Sequence, residues 1–436
     1  MRVVPKRVVA IAVLSVPAAA ASAAVPLEWT PVAATPMPAI ESYVFDGVAH
    51  SAGGGALAGG TTVTVDGRLP AVIERPARGG TWSTPTPLAG PGRLDAGPLV
   101  ARNARGDALA VWGAVGAPLL ASIRPAGGPW RPATPIGRRL PALRTGRTAD
   151  TVRIALSAAG AARVVVMDCG TRCVMTEYRA AVKRPRWTAG KPRRLPAAAT
   201  PTLQWELSPA GQLIAAWIRP SPLALQAIVQ RPRETTPAPP QLVARGGGAA
   251  GPLDVEIGER GEAAVSWTGV VGTLQTSVRL PSDARWRSSR GIIRGAGATG
   301  GRIGLACDGS LVAAWVEPGD EVRATTAAGP GGPFAKPSAI GIYGAVNKPV
   351  SVAATVAGTR GVVTWARADQ ESAGMSIARL GDPDDAFRGR NPDFRFRDSP
   401  APVFASDGFG VVVGAGEDVL WVQEIEPEVE RLQCAR

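Results

Sequence analysis

The sequence predicts an all-β fold, a β-propeller of about eight four-stranded blades, and three observations support that prediction. A segment that runs from Gly to Trp recurs along the chain about every 50 residues. Each copy is followed by further short apolar runs separated by Gly and Pro, which total 53 and 41 residues. The chain is 45% hydrophobic and 19% charged, which is typical of a globular protein.

The Gly-to-Trp segment is clearest in four copies, at 106–112, 211–217, 261–267 and 309–315. Weaker copies occupy 55–61, 160–166, 359–365 and 408–414. The residues between Gly and Trp are small or apolar on both faces, which predicts a strand enclosed between neighbouring sheets. We expect each Trp to fill the gap between adjacent blades. Eight copies favour eight blades; if the first or last copy is not a true blade, the count is seven.

A second pattern follows each Gly-to-Trp segment: a strand, a Gly-Gly turn, and a short segment rich in Trp and Pro. In the first copy these are residues 71–75, then Gly79-Gly80-Thr81-Trp82. Pro and polar residues suit an exposed outer strand, because Pro cannot donate to a further neighbour. The repeating unit therefore contains four strands, as a propeller blade does.

Residues 1–23 have the features of a signal peptide: basic residues, an apolar stretch at 8–16, and Ala21-Ser22-Ala23 as the cleavage site. Residues 24–436 are predicted to form a single propeller domain. Residues 27–31 resemble the Trp/Pro outer strand, so we expect this N-terminal strand to complete the last blade and close the ring. No later stretch reaches the ~18 apolar residues of a membrane span. The expected product is a secreted, extracytoplasmic monomer.

The four cysteines fit an oxidising compartment. Cys169 and Cys173 bracket a three-residue turn, which predicts a hairpin disulfide. Cys307 and Cys434 remain, and whether they pair is open because four cysteines allow three connectivities. The single histidine, His50, has no neighbouring ligands and is interpreted as a surface turn residue, so neither a metal site nor a cofactor is predicted. The GxGxxG segment at 295–300 precedes a predicted strand rather than a helix, which argues against dinucleotide binding.

The repeating unit resembles the repeats of secreted actinobacterial propeller proteins that are distantly related to the sialidase superfamily. In that superfamily, Asp-box turns connect the third and fourth strands of a blade, and the Gly-Gly-x-Trp turns occupy the same place here. The Ser-x-Asp-x-Gly-x-x-Trp pattern itself is absent. The resemblance therefore implies a shared architecture and carries over no activity.

The most informative surface feature is a basic region between residues 138 and 194. The formal net charge is +13, and this region holds fourteen basic residues against Asp150, Asp168 and Glu177. A surface of one sign attracts polyanions at low salt. The predicted partner is an anionic cell-envelope glycan or another exported protein, and no nucleic acid is expected. The alternative is a solvated rim of no function. The predicted binding residues are Lys183, Arg184, Arg186, Trp187, Lys191, Arg193 and Arg194.

Two functional hypotheses remain open, and the catalytic residues of the second are unknown. The first is a non-enzymatic, exported propeller that binds a ligand or protein. The second is a carbohydrate-active hydrolase of sialidase-like type with a site in the central depression, which requires carboxyl groups and arginines that converge there. Glu177 and Tyr178 are adjacent in a predicted strand, so their side chains point to opposite faces and cannot form a nucleophile pair.

Overall fold

A computed structural model describes the following residues: 8–12, 43–50, 55–64, 67–76, 83–88, 98–113, 117–139, 152–169, 172–198, 202–220, 222–232, 234, 238–245, 253–269, 272–288, 290–292, 299–317, 321–341, 350–357, 359–367, 373–380, 387–390, 401–404, 410–416 and 420–425. These residues contain 33 strands and no helix. Most strands belong to antiparallel sheets in which each strand pairs with the next one along the chain.

The first strand is β1 (Val8–Ala12), and the next four sheets follow in chain order. Sheet 1 contains β2 (Tyr43–His50), β3 (Ala56–Thr64), β4 (Gly67–Arg75) and β5 (Thr86–Pro87). Sheet 2 contains β6 (Leu99–Arg102), β7 (Ala108–Trp112), β8 (Pro118–Arg124) and β9 (Thr134–Arg139). Sheet 3 contains β10 (Val152–Leu156), β11 (Ala161–Cys169), β12 (Arg172–Ala181), β13 (Arg184–Ala189) and β14 (Arg193–Ala198). Sheet 4 contains β15 (Gln204–Leu207), β16 (Leu213–Pro220), β17 (Leu223–Gln230) and β18 (Gln241–Arg245).

The remaining four sheets repeat this arrangement. Sheet 5 contains β19 (Leu253–Ile257), β20 (Ala263–Thr268), β21 (Leu274–Arg279) and β22 (Arg290–Gly291). Sheet 6 contains β23 (Thr299–Leu305), β24 (Leu311–Glu317), β25 (Glu321–Ala327) and β26 (Ser338–Gly341). Sheet 7 contains β27 (Val350–Ala357), β28 (Arg360–Arg367), β29 (Ala373–Arg379) and β30 (Arg388–Arg390). Sheet 8 contains β31 (Ala401–Phe404), β32 (Gly410–Gly416), β33 (Leu420–Ile425) and β1.

The sheets are arranged in a ring around a central axis. The first strand of each sheet contacts the first strand of the next, and β31 of sheet 8 returns to contact β2 of sheet 1. These first strands therefore form the inner wall, and the fourth strands form the outer edge. The described residues contain eight sheets, and the number of blades, eight or seven, stays a prediction.

In the seams from sheets 1 and 2 to sheets 6 and 7, side chains of the second strands help to fill the space between neighbouring sheets. Five tryptophans at the ends of the repeated segments are at most 1% exposed: Trp112, Trp217, Trp267, Trp315 and Trp365. Each lies in an apolar cluster that joins its own sheet to the preceding one. The prediction that these indoles fill the gaps between sheets is confirmed.

In five of the repeated segments, the first Gly closes the turn between the first and second strands. Gly106 and Gly211 have φ angles of 88° and 84°, which side chains with a Cβ rarely adopt. Their backbone N–H groups donate to the carbonyls of Asn103 and Ser208, at 2.9 and 2.7 Å. The recurring Gly is therefore required by the turn.

Two other glycines permit close approach of neighbouring sheets. A Cβ on Gly304 of sheet 6 would collide with the backbone of Thr355 in sheet 7. A Cβ on Gly59 of sheet 1 would collide with the carbonyl of Pro98 at the start of sheet 2. The missing side chains let the backbones of adjacent sheets come into contact.

Sheet 3 departs from the predicted four strands because it has five. Its third strand, β12, is ten residues long. The short strands β13 and β14 pair with different parts of it, through residues such as Tyr178 and Val174. The chain between them therefore continues the outer edge of the sheet instead of leaving it.

β1 joins the last sheet, since it pairs with Gly410–Gly416 and contacts β33 through Ala12. Its residues, Val8–Ala12, lie inside the predicted signal peptide of residues 1–23, which stays a prediction. The predicted closing element at 27–31 lies outside the described residues. The predicted hairpin disulfide between Cys169 and Cys173 is confirmed. Cys307 is also disulfide-bonded, and Cys434 lies outside the described residues.

Candidate functional site

The predicted binding residues lie together on the outer edge of sheet 3, in the turn before β13, in β13, and in the chain through the start of β14. We call this set the basic edge: Lys183, Arg184, Arg186, Trp187, Lys191, Arg193 and Arg194. Five of its six cations are exposed, while Arg193 is half-buried. In β13, Arg184 and Arg186 alternate with the partly buried Pro185 and Trp187. This alternation directs both guanidinium groups away from the sheet.

The six cations of the basic edge form no ion pair with any residue in the described part of the chain. Arg193 Nη1 is buried and has no hydrogen-bond partner there. Trp187 packs against the apolar cluster that joins sheets 2 and 3. The basic edge is therefore a row of cations with Trp187 packed beneath it. No acidic group among the described residues neutralises its charge.

A buried ion pair lies beneath the basic edge. Glu177 Oε1 and Oε2 accept hydrogen bonds from Arg163 Nε and Nη2, at 2.6 and 3.1 Å. Arg179 Nε also donates to Glu177. Burial of the Glu177 carboxyl would raise its pKa, but the hydrogen bonds from Arg179 and Arg163 outweigh that effect and lower the pKa. Tyr178 packs in the cluster between sheets 2 and 3 instead, so Glu177 and Tyr178 do point to opposite faces.

A second group of charged residues lies on the inner wall, and sequence analysis missed it. It comprises Arg153 of β10, Glu206 of β15, Asp254 and Glu256 of β19, and Arg302 of β23; we call it the axial cluster. In β19, Leu253, Val255 and Ile257 are buried against sheet 4. The period of two in a strand places Asp254 and Glu256 together on the opposite face.

Strand register explains why these residues meet. Three of them occupy equivalent positions in their sheets, because each pairs with the residue just before the end of a repeated segment: Arg153, Asp254 and Arg302. They therefore lie at the same height along the axis of the ring. Glu206 and Glu256 lie at the next level, two residues along their strands. The result is an arc across sheets 3, 4, 5 and 6 in which Arg153 and Arg302 flank three carboxyls.

Specific contacts hold the axial cluster. Arg153 Nε lies 3.1 Å from Glu206 Oε2, and its guanidinium is 5.0 Å from the centre of the Trp205 ring. Asp254 Oδ2 accepts a hydrogen bond of 2.9 Å from the backbone N–H of Ile303. Asp254 Oδ1 lies 3.5 Å from Arg302 Nη1. Asp254 therefore bridges the inner strands of sheets 5 and 6.

The two carboxyls of β19 bind their protons more tightly than usual. Burial raises the pKa of Asp254 to about 6, with Arg302 and the Ile303 N–H opposing the shift. Burial, followed by the charges of Asp254 and Glu206, raises the pKa of Glu256 well above its usual value. Such shifts occur in catalytic carboxyls and also in purely structural ones.

Asp254 is expected to make the fold less stable as the pH rises. A carboxyl whose folded pKa is raised to about 6 gives a free energy of unfolding that falls between the unfolded pKa, near 4, and the folded pKa. Asp254→Asn cannot ionise, so at pH 7.5 the variant should be more stable than the wild type by up to about 3 kcal/mol. At pH 4 the difference should vanish. Urea unfolding at several pH values measures this.

The matched control is Asp168→Asn, which removes an exposed carboxyl from the hairpin end of β11. Because Asp168 is exposed, its replacement should change the free energy of unfolding at pH 7.5 by less than about 0.5 kcal/mol. A constant difference between Asp254→Asn and the wild type from pH 4 to 7.5 would contradict the raised pKa.

The remaining sequence predictions concern metals, nucleotides and membranes. Within the described ranges, no group of three His, Cys, Asp or Glu side chains could hold a metal ion. His50, predicted in a turn, is instead the last residue of β2 and opposes Ala56. The GxGxxG segment leads into β23, a strand, as the sequence analysis expected. None of the described residues forms a helix that is long and apolar enough to cross a membrane.

Comparisons with known proteins identify the fold but no family. No family model matches the chain, and no curated protein is significantly similar to it. Sqt1 from Saccharomyces cerevisiae is 10% identical with a TM-score of 0.55, covering 88% of this chain and 98% of its own. The BP39L lectin from Burkholderia pseudomallei is 15% identical with a TM-score of 0.49, covering 81% and 99%. The WD40 domain of SCAP from fission yeast is 10% identical with a TM-score of 0.49, covering 88% and 97%.

The fold is a β-propeller. At these levels of identity, the likeness shows the fold alone and says nothing about a ligand. The predicted all-β propeller architecture is therefore confirmed, whereas the actinobacterial and sialidase-like resemblance stays a prediction.

The propeller fold explains how sequence could have revealed the axial cluster. The first strand of every blade lines the axis. A charged side chain on the face of that strand turned away from the preceding sheet can therefore reach the first strand of the next sheet, as Asp254 does. The segment Leu253-Asp-Val-Glu-Ile257 alternates strictly, and it precedes a clear repeated segment by a few residues. Asp254 and Glu256 were therefore recognisable, but their meeting with Arg302 depends on the register of two sheets.

Proposed function

We propose that this protein is an exported, non-enzymatic propeller scaffold, and that its basic edge binds an anionic polymer of the cell envelope. One observation carries the proposal: six cations along a single sheet edge have no ion-pair partner in the described part of the chain. Unneutralised charge of one sign gives a potential that concentrates polyanions at the surface. The Cys169–Cys173 disulfide is compatible with a location outside the cytoplasm.

Two further features support a polymer rather than a small ion. The cations extend along β13 and into β14, so they present a row and not an enclosed pocket. Trp187 lies among them and gives the row a flat, partly exposed apolar element, against which a sugar ring or an aliphatic stem packs. A polymer with regularly spaced carboxylates contacts several cations at once and gains from their sum.

The test is retention of the full chain on immobilised polygalacturonate, an anionic polysaccharide that carries no phosphate. The wild type should be retained at low salt and released as salt rises, because exposed charges are screened. Replacing all six cations of the basic edge with Gln should weaken binding at least about tenfold. Neutral dextran should retain neither protein.

A control variant removes the same number of charges elsewhere. It replaces six exposed cations outside sheet 3 with Gln: Arg105, Arg219, Arg245, Arg285, Lys336 and Arg379. This variant should keep most of the retention, since the cations of the basic edge remain. Equal losses in the two variants would show that only net charge matters, and the basic edge would not be a site.

The axial cluster favours a second candidate function, hydrolysis of a carbohydrate at the axis. Asp254 and Glu256 are alternate residues on one strand, so their Cβ atoms are about 7 Å apart. Carboxyl separations of that order are used by inverting glycosidases, and the raised pKa of Glu256 suits a general acid. Release of reducing ends from the polymer by the wild type, and not by Asp254→Asn, would favour this candidate over a pure scaffold.

A further inference from the structure

A polar cleft lies at the seam between sheets 4 and 5, away from both the basic edge and the axial cluster. Its volume is about 290 Å³. That is room for about ten water molecules, each of which occupies about 30 Å³ in the liquid, so the cleft matches the size of one sugar residue. Its polar lining comprises Gln212, Arg231, Glu234, Gln241, Arg260 and Arg279.

The cleft has an excess of positive charge. Three guanidinium groups line it, and Glu234 supplies the one carboxyl of its lining. That carboxyl is already engaged, because Glu234 Oε2 accepts a hydrogen bond of 3.0 Å from the backbone N–H of Arg231. Glu234 therefore shapes the loop after β17 and neutralises the cleft only in part.

Arg279 is the innermost of the three cations. Its Nε is buried and has no hydrogen-bond partner among the described residues, although a buried donor normally has one. Burial lowers its pKa, and the charge of Arg231 lowers it further, while the charges of Asp283 and Glu234 raise it. Asp283 is itself paired with Arg287 at 2.8 Å, so Arg279 keeps an unused donor in the cleft.

The repeat itself shows what would neutralise Arg279. By register, Gln230 and Arg279 stand opposite Leu213 and Ala263, four residues before the markers Trp217 and Trp267. In sheets 1 and 2 the residues at the same position are Glu74 and Arg124.

These two equivalent pairs differ in one important respect. Glu74 Oε2 lies 2.6 Å from Arg124 Nη2 across the seam between sheets 1 and 2. Across the seam between sheets 4 and 5, the acid is replaced by the fully buried amide of Gln230. The cation has been kept, and the carboxyl that pairs with it across the seam between sheets 1 and 2 has no equivalent at position 230.

We infer that the cleft between sheets 4 and 5 binds a compact oxyanion carried on a ligand of about one sugar residue, with Arg279, Arg260 and Arg231 as its cationic contacts. The ligand's anionic group replaces the carboxylate that Glu74 supplies in the equivalent seam. Guanidinium groups suit this role because they present paired N–H donors to carboxylate, sulfate or phosphate oxygens. This site is independent of the basic edge and goes beyond the polymer binding proposed above.

Isothermal titration of the full chain tests the inference with three probes: glucuronate, glucose 6-phosphate and glucose. The two anionic sugars should bind and glucose should not, and the stronger of the two identifies the preferred oxyanion. Arg279→Gln and Arg260→Gln should each raise the dissociation constant at least about tenfold. Arg260 is exposed, so its variant is expected to fold even if the Arg279 variant does not.

The sharpest variant is Gln230→Glu, which restores the carboxylate found in the equivalent seam. It should form an internal pair with Arg279, keep the protein folded, and abolish binding of both anionic sugars. Arg245→Gln, an exposed change on the outer edge of sheet 4, should leave binding unchanged. The variant that lacks all six cations of the basic edge should also bind normally, which separates this site from the proposed polymer site.

Two kinds of outcome would overturn the inference. One concerns the probes: either glucose binds as well as glucuronate and glucose 6-phosphate do, or none of the three probes binds. The other is that folded Arg260→Gln and Gln230→Glu proteins both bind the anionic sugars as the wild type does.

Discussion

Replacing Trp267 with Ala is expected to lower the free energy of unfolding by about 3–5 kcal/mol. Trp267 is fully buried in the cluster that joins sheets 4 and 5. The loss combines the transfer of the indole out of water with a cavity that the two rigid sheets cannot close. The measurement is urea-induced unfolding followed by circular dichroism, with the midpoint and the slope fitted separately.

Two variants control for the size and the place of this change. Trp267→Phe keeps most of the apolar volume and removes an indole N–H that has no partner, so it should cost no more than about 1 kcal/mol. Leu242→Ala truncates a large apolar side chain of sheet 4 that is 41% exposed, and it should cost less than about 0.5 kcal/mol. If all three variants lost similar stability, the seams would not be the main source of stability.

Glu177→Gln is expected to destabilise the protein by about 3–5 kcal/mol. The carboxylate has 4% side-chain exposure and neutralises Arg163, whose side chain has 6% exposure. The amide leaves that guanidinium buried without a counter-ion, and Arg163 Nη1 already lacks a partner. Thermal and urea unfolding at pH 7 measure the loss.

The double variant Glu177→Met with Arg163→Met separates charge from packing. Replacing both partners with apolar residues of similar volume removes the uncompensated charge, so this variant should recover most of the stability lost in Glu177→Gln. The pH dependence gives a second check. Because the folded pKa of Glu177 is lowered, its contribution is present above the unfolded pKa, near 4.5, and is lost as the pH falls through the folded pKa. Persistent instability of the double variant would point to packing.

Much of the fold could be predicted because the same local sequence pattern recurs in the repeats. A Gly at positive φ, a small apolar strand and a terminal Trp occur together in the clear copies, and the structure uses each part as expected. The basic residues of 183–194 lie in the turn before β13, in the outer strands of sheet 3 and in the chain between those strands. Their role as a binding site remains a proposal.

The rest depended on contacts between repeats, which a single unit does not encode. Whether Asp254 meets Arg302 is decided by the register of two first strands. Whether Arg279 has a carboxyl partner across the seam is decided by one residue, Gln230, in the preceding sheet. The fifth strand of sheet 3 was missed because the length of β12 is visible only once its two partners are paired with it.

The collision that a Cβ on Gly304 would cause with the backbone of Thr355 has a consequence for the axial opening. In a closed ring of sheets, the diameter of the opening depends on how closely the first strands of neighbouring sheets approach. Sheets 6 and 7 approach closely here because residue 304 has no Cβ. A bulkier residue at Gly304 would push the first strands of sheets 6 and 7 apart and widen the opening. The absence of a side chain at Gly304 therefore helps to set the diameter of the opening that the axial cluster faces.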